Sequence, residues 1–401
     1  MEIYIKTAVK CMSKNFIRKG KEAKPVVAIC YDFDRTLSPE DMQAQGFIQS
    51  VGYDVEEFWI ESNRLAEKNE MDQNLAYMYT MVQKAHGSVI LNRENLAEYG
   101  SRVKLFPGVD SWFERTREYA LSKGVILEHY IISSGLKEMI EGTAIAKNGA
   151  FEKIYASSFC FDSDGVAVWP AQAINYTNKT QFLFRIEKGT LEVNDPAVND
   201  YFAPDKIRVP FRNIVYIGDS DTDIPCMKLV NAYGGYSIGV YDPKTEDKNK
   251  VFNMLHDDRI KYFAPADYTE NGQLESLVKM IIDKTAANEL IEAVHYDNVG
   301  ETAAHFELDT RNSEQKQVDA LVSALSESEN FRTTHTLIEE LSRYADFTQA
   351  QLRSIAETAQ NNSQVYLILG DSDVKEFYKN VLEKMSEPLP EGAKRLKEEL
   401  K

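Results

Sequence analysis

Residues 26–36 read Val26-Val27-Ala28-Ile29-Cys30-Tyr31-Asp32-Phe33-Asp34-Arg35-Thr36, and the fold is decided by how this stretch is interpreted. Six apolar residues in succession, without the alternation of a half-solvated strand, are the pattern of a β-strand buried on both faces. Asp32 and Asp34 follow it at once. Two other runs end in the same way. Tyr130 to Ile132, with Val125 to Leu127 just upstream, leads into Ser133 and Ser134, and Ile214 to Ile217 leads into Gly218, Asp219 and Asp223. All three polar clusters therefore fall at the carboxyl ends of buried parallel strands, where open α/β sheets place their ligands. One shared crevice is predicted.

Helical patterns separate the runs. Trp112 to Lys123 is preceded by Pro107, Gly108 and the capping residues Asp110 and Ser111, and a second pattern covers Leu136 to Lys147. The alternation predicts an α/β, doubly wound parallel sheet with right-handed crossovers. From Ser38 to Lys104 the alternation is interrupted. Val55, Phe58 and Trp59, then Leu75, Met78 and Val82, recur at helical spacing with Asp54 placed to cap. A helical insertion at this point would lie over the crevice as a cap. Phe151 to Trp169 reads as a hairpin turning at Asp162, Ser163, Asp164 and Gly165. Beyond Lys284 the chain becomes short amphipathic helices, marked by Val318, Leu321, Val322 and Leu325, by Leu352, Ile355 and Ala359, and by Val374, Phe377, Tyr378 and Val381. The expected organisation is a core of residues 21–37 and 105–284, an inserted helical cap at 38–104, and a C-terminal helical module at 285–401.

A length of 401 residues accommodates that plan, with composition near the globular average. The formal charge of −17, from 63 acidic against 46 basic residues, argues against nucleic acid as a partner. A small phosphorylated ligand is not excluded, because a metal and one or two cations can hold it locally. Cys11, Cys30, Cys160 and Cys226 form no CxxC pair, and Cys30 and Cys160 sit in apolar runs as buried free thiols. With no signal-like apolar segment and no membrane-length run, the expected location is the cytoplasm. The histidines, His86, His129, His256, His295, His305 and His335, show no metal-ligand spacing, which argues against zinc.

Four motifs carry the chemistry. Asp32, Asp34 and Thr36 form DxDxT after the first strand; Ile131-Ile132-Ser133-Ser134-Gly135 ends the second; Lys179 stands at a helix start in Asn178-Lys179-Thr180-Gln181; and Gly218-Asp219-Ser220-Asp221-Thr222-Asp223 is GDxxxD. In this order and approximate spacing they resemble the motifs of the haloacid dehalogenase (HAD) superfamily. An insertion after the first motif resembles the phosphoserine-phosphatase-like branch with a helical cap.

The resemblance implies a HAD-like Rossmannoid core and a Mg²⁺-dependent phosphomonoester hydrolase working through an aspartyl-phosphate. Asp32 would be the nucleophile, with Asp34 as general acid and then base. Ser133, Ser134, Gly135 and Lys179 would bind phosphate. Asp32, Asp219 and a backbone carbonyl at Asp34 would hold Mg²⁺, supported by Thr36 and Asp223, and Asp221 could substitute for Asp223. The physics agrees: two unit charges about 4 Å apart repel by roughly 4 kcal/mol at an effective dielectric near 20, so cations must bring a phosphate to a carboxylate. The implied substrate is a small phosphorylated metabolite, with phosphoserine or phosphocholine-type esters as a first screen. Glu40 lies near where that branch places a substrate-reading acid, but Pro39 intervenes and the role is not carried over.

Two other functions compete. The chain could be a regulatory or interaction protein whose helices at 285–401 bind a protein partner, or a phosphotransferase or phosphomutase relative. Leu369-Gly370-Asp371-Ser372-Asp373-Val374 echoes the fourth motif, but Lys375 occupies the position of Asp223. Asp371 or Asp373 is expected to cap a helix there.

Overall fold

The computed structural model describes residues 16–307 and 312–400, with the side chains of residues 304–307 left undescribed. Cys11 and the His305 side chain lie outside the described residues. The apolar run forms strand β1 (Val26–Tyr31), and all six of its residues are buried. Alternate side chains serve two different cores. Val27, Ile29 and Tyr31 face one, and Val26, Ala28 and Cys30 face the other. A strand covered on both faces gains from every side chain, roughly 1.5–3 kcal/mol for each large one, which is why the run lacks alternation.

The other strands are β2 (Ile126–Leu136), β3 (Lys153–Phe161), β4 (Ala167–Gln172), β5 (Ile214–Gly218), β6 (Tyr236–Tyr241) and β7 (Tyr262–Pro265). They form one seven-stranded sheet in the order β4-β3-β2-β1-β5-β6-β7. All neighbours are parallel except the β3–β4 hairpin at one edge. The sheet is thus the expected α/β type, with helical insertions and a C-terminal helical region. After β1 the chain passes to β2 on one side and later to β5 on the other, so β1 is the switch point of the topology.

Several local expectations are corrected. Cys160 is exposed, because the edge hairpin is covered on one face and strand alternation turns Phe159 inward and Cys160 outward. The helix expected at Trp112 is Val109–Ser122 with Gly108 at its N-cap in the left-handed region, φ 80°, so Asp110 lies in the first turn rather than at the cap. The pattern at Leu136 to Lys147 splits into helices Lys137–Gly142 and Ala144–Lys147 around Thr143. Gly142 abuts the helix Arg93–Ser101 so closely that a Cβ would stand 2.0 Å from the Ala97 carbonyl oxygen.

The insertion contains the helices Val55–Asn69, Gln73–Ala85 and Arg93–Ser101, and Asp54 caps the first by accepting from the Glu56 and Glu57 amides. The helix Gln273–Glu307 runs unbroken through the expected boundary near Lys284. Two compact units divide at Tyr296 and Asp297. Within the second, the helices Ser313–Ser326, Phe331–Leu341, Gln349–Asn361, Ser372–Lys384 and Glu391–Glu399 enclose a core that includes Leu325, Ile355 and Tyr378. Asp371 occupies an N-cap position there, but its side chain makes no cap bond. Asp371 and Asp373 instead flank His335, at 3.2 and 2.8 Å from its ring nitrogens. Among the described residues no helix is long and apolar enough to cross a membrane.

Candidate active site

Strand register assembles the site. Tyr31 is level with Ile131 on β2 and Ile217 on β5, and the Asp32 amide adds one more ladder bond to the Ile217 carbonyl at 3.0 Å. The residues that follow each strand therefore emerge side by side. Asp32, Ser133 and Asp219 line one cavity of about 320 Å³, together with Asp34, Ser134 and Gly135.

Asp34 does not continue strand β1, which ends at Tyr31. The chain turns immediately: the amides of Thr36, Leu37 and Ser38 all donate to the Phe33 carbonyl, and Arg35 takes the left-handed region at φ 58°. A non-glycine residue held there stores about 1–3 kcal/mol, which surrounding structure must offset. The turn lets the Asp34 carboxylate accept from the Met42 amide at 2.8 Å, at the start of the insertion. On β2, Ser133 pairs with Ala156 while Leu136 pairs with Ser157, so the residues between them bulge. That bulge presents Ser134 and Gly135 to the cavity. The Gly135 amide donates to Ser133 Oγ at 3.0 Å, and the Ser133 hydroxyl bonds the Asp32 carboxylate.

Lys179 closes the 3₁₀ turn Tyr176–Lys179 just before the helix Thr180–Lys188 and is wholly buried. Its Nζ lies 2.7 Å from Asp223 Oδ1 and 3.5 Å from Asp32 Oδ1. Asp223 also accepts from the Tyr216 hydroxyl at 2.8 Å and from the Ser220 hydroxyl and amide at 2.8 and 3.0 Å. Asp221, by contrast, is exposed. Gly218 permits the arrangement, because a Cβ there would stand 2.5 Å from Asp223 Oδ2. Thr36 Oγ1 donates to Asp219 at 3.4 Å, and Lys250 approaches Asp219 at 3.7 Å.

Asp32, Asp219 and Asp223 each offer a carboxylate oxygen within 4.8 Å of the others, a cluster suited to a metal ion. The Asp34 side chain is outside this trio. Burial, and then the Asp223 charge, push Asp32 up to about 6 despite Lys179 and the Phe33 amide. The same two causes, joined by the Asp32 charge, raise Asp219 to about 7. Asp34 is raised well above the carboxylate range, first by burial and then by Asp41 and Asp32. For Lys179 burial works toward a lower value, but the Asp223 and Asp32 charges outweigh it and the group is raised.

The sequence contained no signal for Tyr216 as an Asp223 partner, since it sits in an apolar run, nor for Lys250, which lies far along the chain. From the insertion, Gln43, Trp59, Asn74 and Tyr77 line the cavity, and the Tyr77 hydroxyl donates to the Ser134 carbonyl at 2.8 Å. Helical spacing placed Trp59 on a helix of the insertion without marking it as a cavity residue. Glu40 is exposed and lines a neighbouring cavity.

The family model of haloacid dehalogenase-like hydrolases matches residues 29–228. An uncharacterized protein of Borreliella burgdorferi is 28% identical over 284 residues, which is 63% of this chain and 95% of the other. A HAD family hydrolase from Salmonella enterica serovar Typhi superposes with a TM-score of 0.42 at 18% identity, over 65% of this chain and 74% of the other. A probable phosphoserine phosphatase from Vibrio cholerae does so with a TM-score of 0.42 at 14% identity, over 66% and 67%.

Proposed function

The chain belongs to the haloacid dehalogenase-like hydrolase superfamily, and on that premise we propose that it is a Mg²⁺-dependent phosphomonoester hydrolase in which Asp32 is transiently phosphorylated. One observation carries the reading: a wholly buried lysine between two carboxylates, Lys179 between Asp32 and Asp223, beside a third at Asp219. Negative charge held this closely, with carboxyl groups pushed up to about 6 and about 7, fits a hard divalent cation on Asp32, Asp219 and Asp223, with the Asp34 main chain as a further oxygen donor. Mg²⁺ bound there would offset the charge of the incoming phosphate and polarise one of its oxygens.

The protein's own groups perform the steps. Lys179 and the Ser133 hydroxyl, with the amides of the Ser134–Gly135 bulge, hold phosphoryl oxygens. An Asp32 oxygen attacks phosphorus as the ester P–O bond breaks. Asp34, whose carboxyl burial pushes up toward the protonated form, gives its proton to the departing alkoxide. As a carboxylate it then takes a proton from the water that attacks the phosphorylated Asp32, and free phosphate leaves. Asp223 fixes Lys179 in place.

A screen of small phosphate monoesters with Mg²⁺, run beside Asp32→Asn, tests this. The variant should lose phosphate release by about a thousandfold or more. A loss of less than about tenfold contradicts the assignment.

A further inference from the structure

Ser134 and Gly135 have no partner on β3, because pairing passes from Ser133 with Ala156 directly to Leu136 with Ser157. Their backbone is held from the insertion instead. The Tyr77 hydroxyl, on the helix Gln73–Ala85, donates to the Ser134 carbonyl at 2.8 Å. Met42 Sδ accepts from the Leu136 amide at 3.3 Å, and Met42 packs so closely that a Cβ on Gly135 would stand 2.4 Å from its Cε. Two residues of the insertion thus grip the two peptide units on either side of the Gly135 Cα.

The first grip reaches the phosphate-binding groups through one rigid unit. A peptide is planar and trans, so its C=O and N–H point in opposite directions. The unit whose carbonyl takes the Tyr77 proton is the one whose N–H belongs to Gly135, and that N–H donates to Ser133 Oγ at 3.0 Å. The Ser133 hydroxyl in turn bonds the Asp32 carboxylate. Fixing the carbonyl end therefore fixes the donor end, beside Asp32. Rotation of this peptide would forfeit both bonds at once, and in a bulge no ladder bond opposes the rotation. Tyr77 itself has little freedom: it is buried, its ring meets Trp59 edge-on with centroids 5.9 Å apart, and its hydroxyl is also bonded by Ser157.

We propose that Tyr77 is a positioning residue for phosphate binding, and that through the Ser134–Gly135 peptide the insertion sets the groups that hold the phosphoryl oxygens. The insertion is then part of the phosphate site as well as its cover. The identity of that site rests on the phosphatase reading above.

Calorimetric titration with inorganic phosphate in the presence of Mg²⁺ tests this, since it reads phosphate binding without turnover. Tyr77→Phe keeps the ring and removes the donor, so Kd should rise about tenfold, and kcat/KM for p-nitrophenyl phosphate should fall at least as far. Met42→Leu keeps the volume and removes the sulfur acceptor, and should raise Kd about threefold. Thr80→Val takes a buried hydroxyl from the same helix, one that donates to the Ala76 carbonyl, and should leave Kd within about twofold. Thermal melts identify which variants fold, and either Tyr77→Phe or Met42→Leu suffices. A Kd within about twofold of wild type in every folded variant of those two overturns the inference. An equal rise in Thr80→Val also overturns it, because the effect would then come from helix stability. Phosphate binding with the expected pattern, but no release from p-nitrophenyl phosphate, removes the hydrolase and keeps the role of Tyr77. Release from p-nitrophenyl phosphate without the pattern keeps the hydrolase and removes that role. Neither binding nor release removes both.

Discussion

Lys179 Nζ stands 2.7 Å from Asp223 Oδ1 with neither side chain exposed. Removing one member of such a pair strands the other charge, at a cost of about 3–5 kcal/mol. Lys179→Met should therefore lose about that much stability in urea denaturation, and phosphate release should fall by more than about a hundredfold. Adding Asp223→Asn removes the stranded charge, so the double variant should recover part of the stability and none of the activity. Recovery of both would mean that Lys179 serves only the fold.

Asp34 accepts from the Met42 amide at 2.8 Å, and burial pushes its carboxyl up. A proton donor matters for an alkoxide leaving group and little for p-nitrophenolate. With Asp34→Asn, p-nitrophenyl phosphate should give a rapid burst of p-nitrophenol about equal to the enzyme, then a slow phase, because the base for the second step is missing. Alkyl esters should show no burst and a loss of about 10²–10⁴-fold. An undiminished steady rate in stopped-flow measurements would move the acid role to another residue.

Asp32 and Asp219 must shed protons before they can ligate a cation. Their carboxyl groups are lifted to about 6 and about 7, so protons compete below this window and are released as pH rises through it. Mg²⁺ should raise the melting temperature more at about pH 8 than at about pH 5.5, and Asp219→Asn should abolish most of the difference. An equal shift at both pH values would argue against these ligands.

Away from the site, Glu128 on β2 receives both terminal nitrogens of the nearly buried Arg208, at 2.7 and 2.6 Å, and Lys19 at 2.7 Å. Burial works to raise its carboxyl, but Arg208 and Lys19 prevail and bring it down to about 2. A carboxyl lowered in the folded state stabilises above its ordinary value near 4.5 and loses that contribution as pH falls toward 2. The contribution is about 3 kcal/mol. Denaturant midpoints should show the wild type losing this increment between about pH 5 and pH 2. Glu128→Gln should be less stable above that range and flatter across it.

The three strands were legible because a strand buried on both faces writes itself into consecutive residues, as Val26 to Tyr31 and Ile214 to Ile217 do. The acids after them were legible as well, since few other residues of those segments are polar. Where a face is only half covered, the sequence was ambiguous: Cys160 sits in an apolar run yet is exposed on the edge hairpin. The bulge at Ser134 and Gly135 arises from pairing with β3, and no feature of residues 133–136 announces it.

The sequence by itself determined an α/β sheet with acids at its strand ends and a distinct helical region after it, because burial and periodicity are local properties of a segment. Only the tertiary structure decided that Asp223 rather than Asp221 receives Lys179, that Tyr216 holds Asp223, and that Gln43 and Trp59 face the same cavity as Asp32. Those contacts join residues tens to hundreds of positions apart. They exist because sheet register levels Tyr31 with Ile131 and Ile217, and register is set by the packing of the whole core rather than by any one stretch of chain.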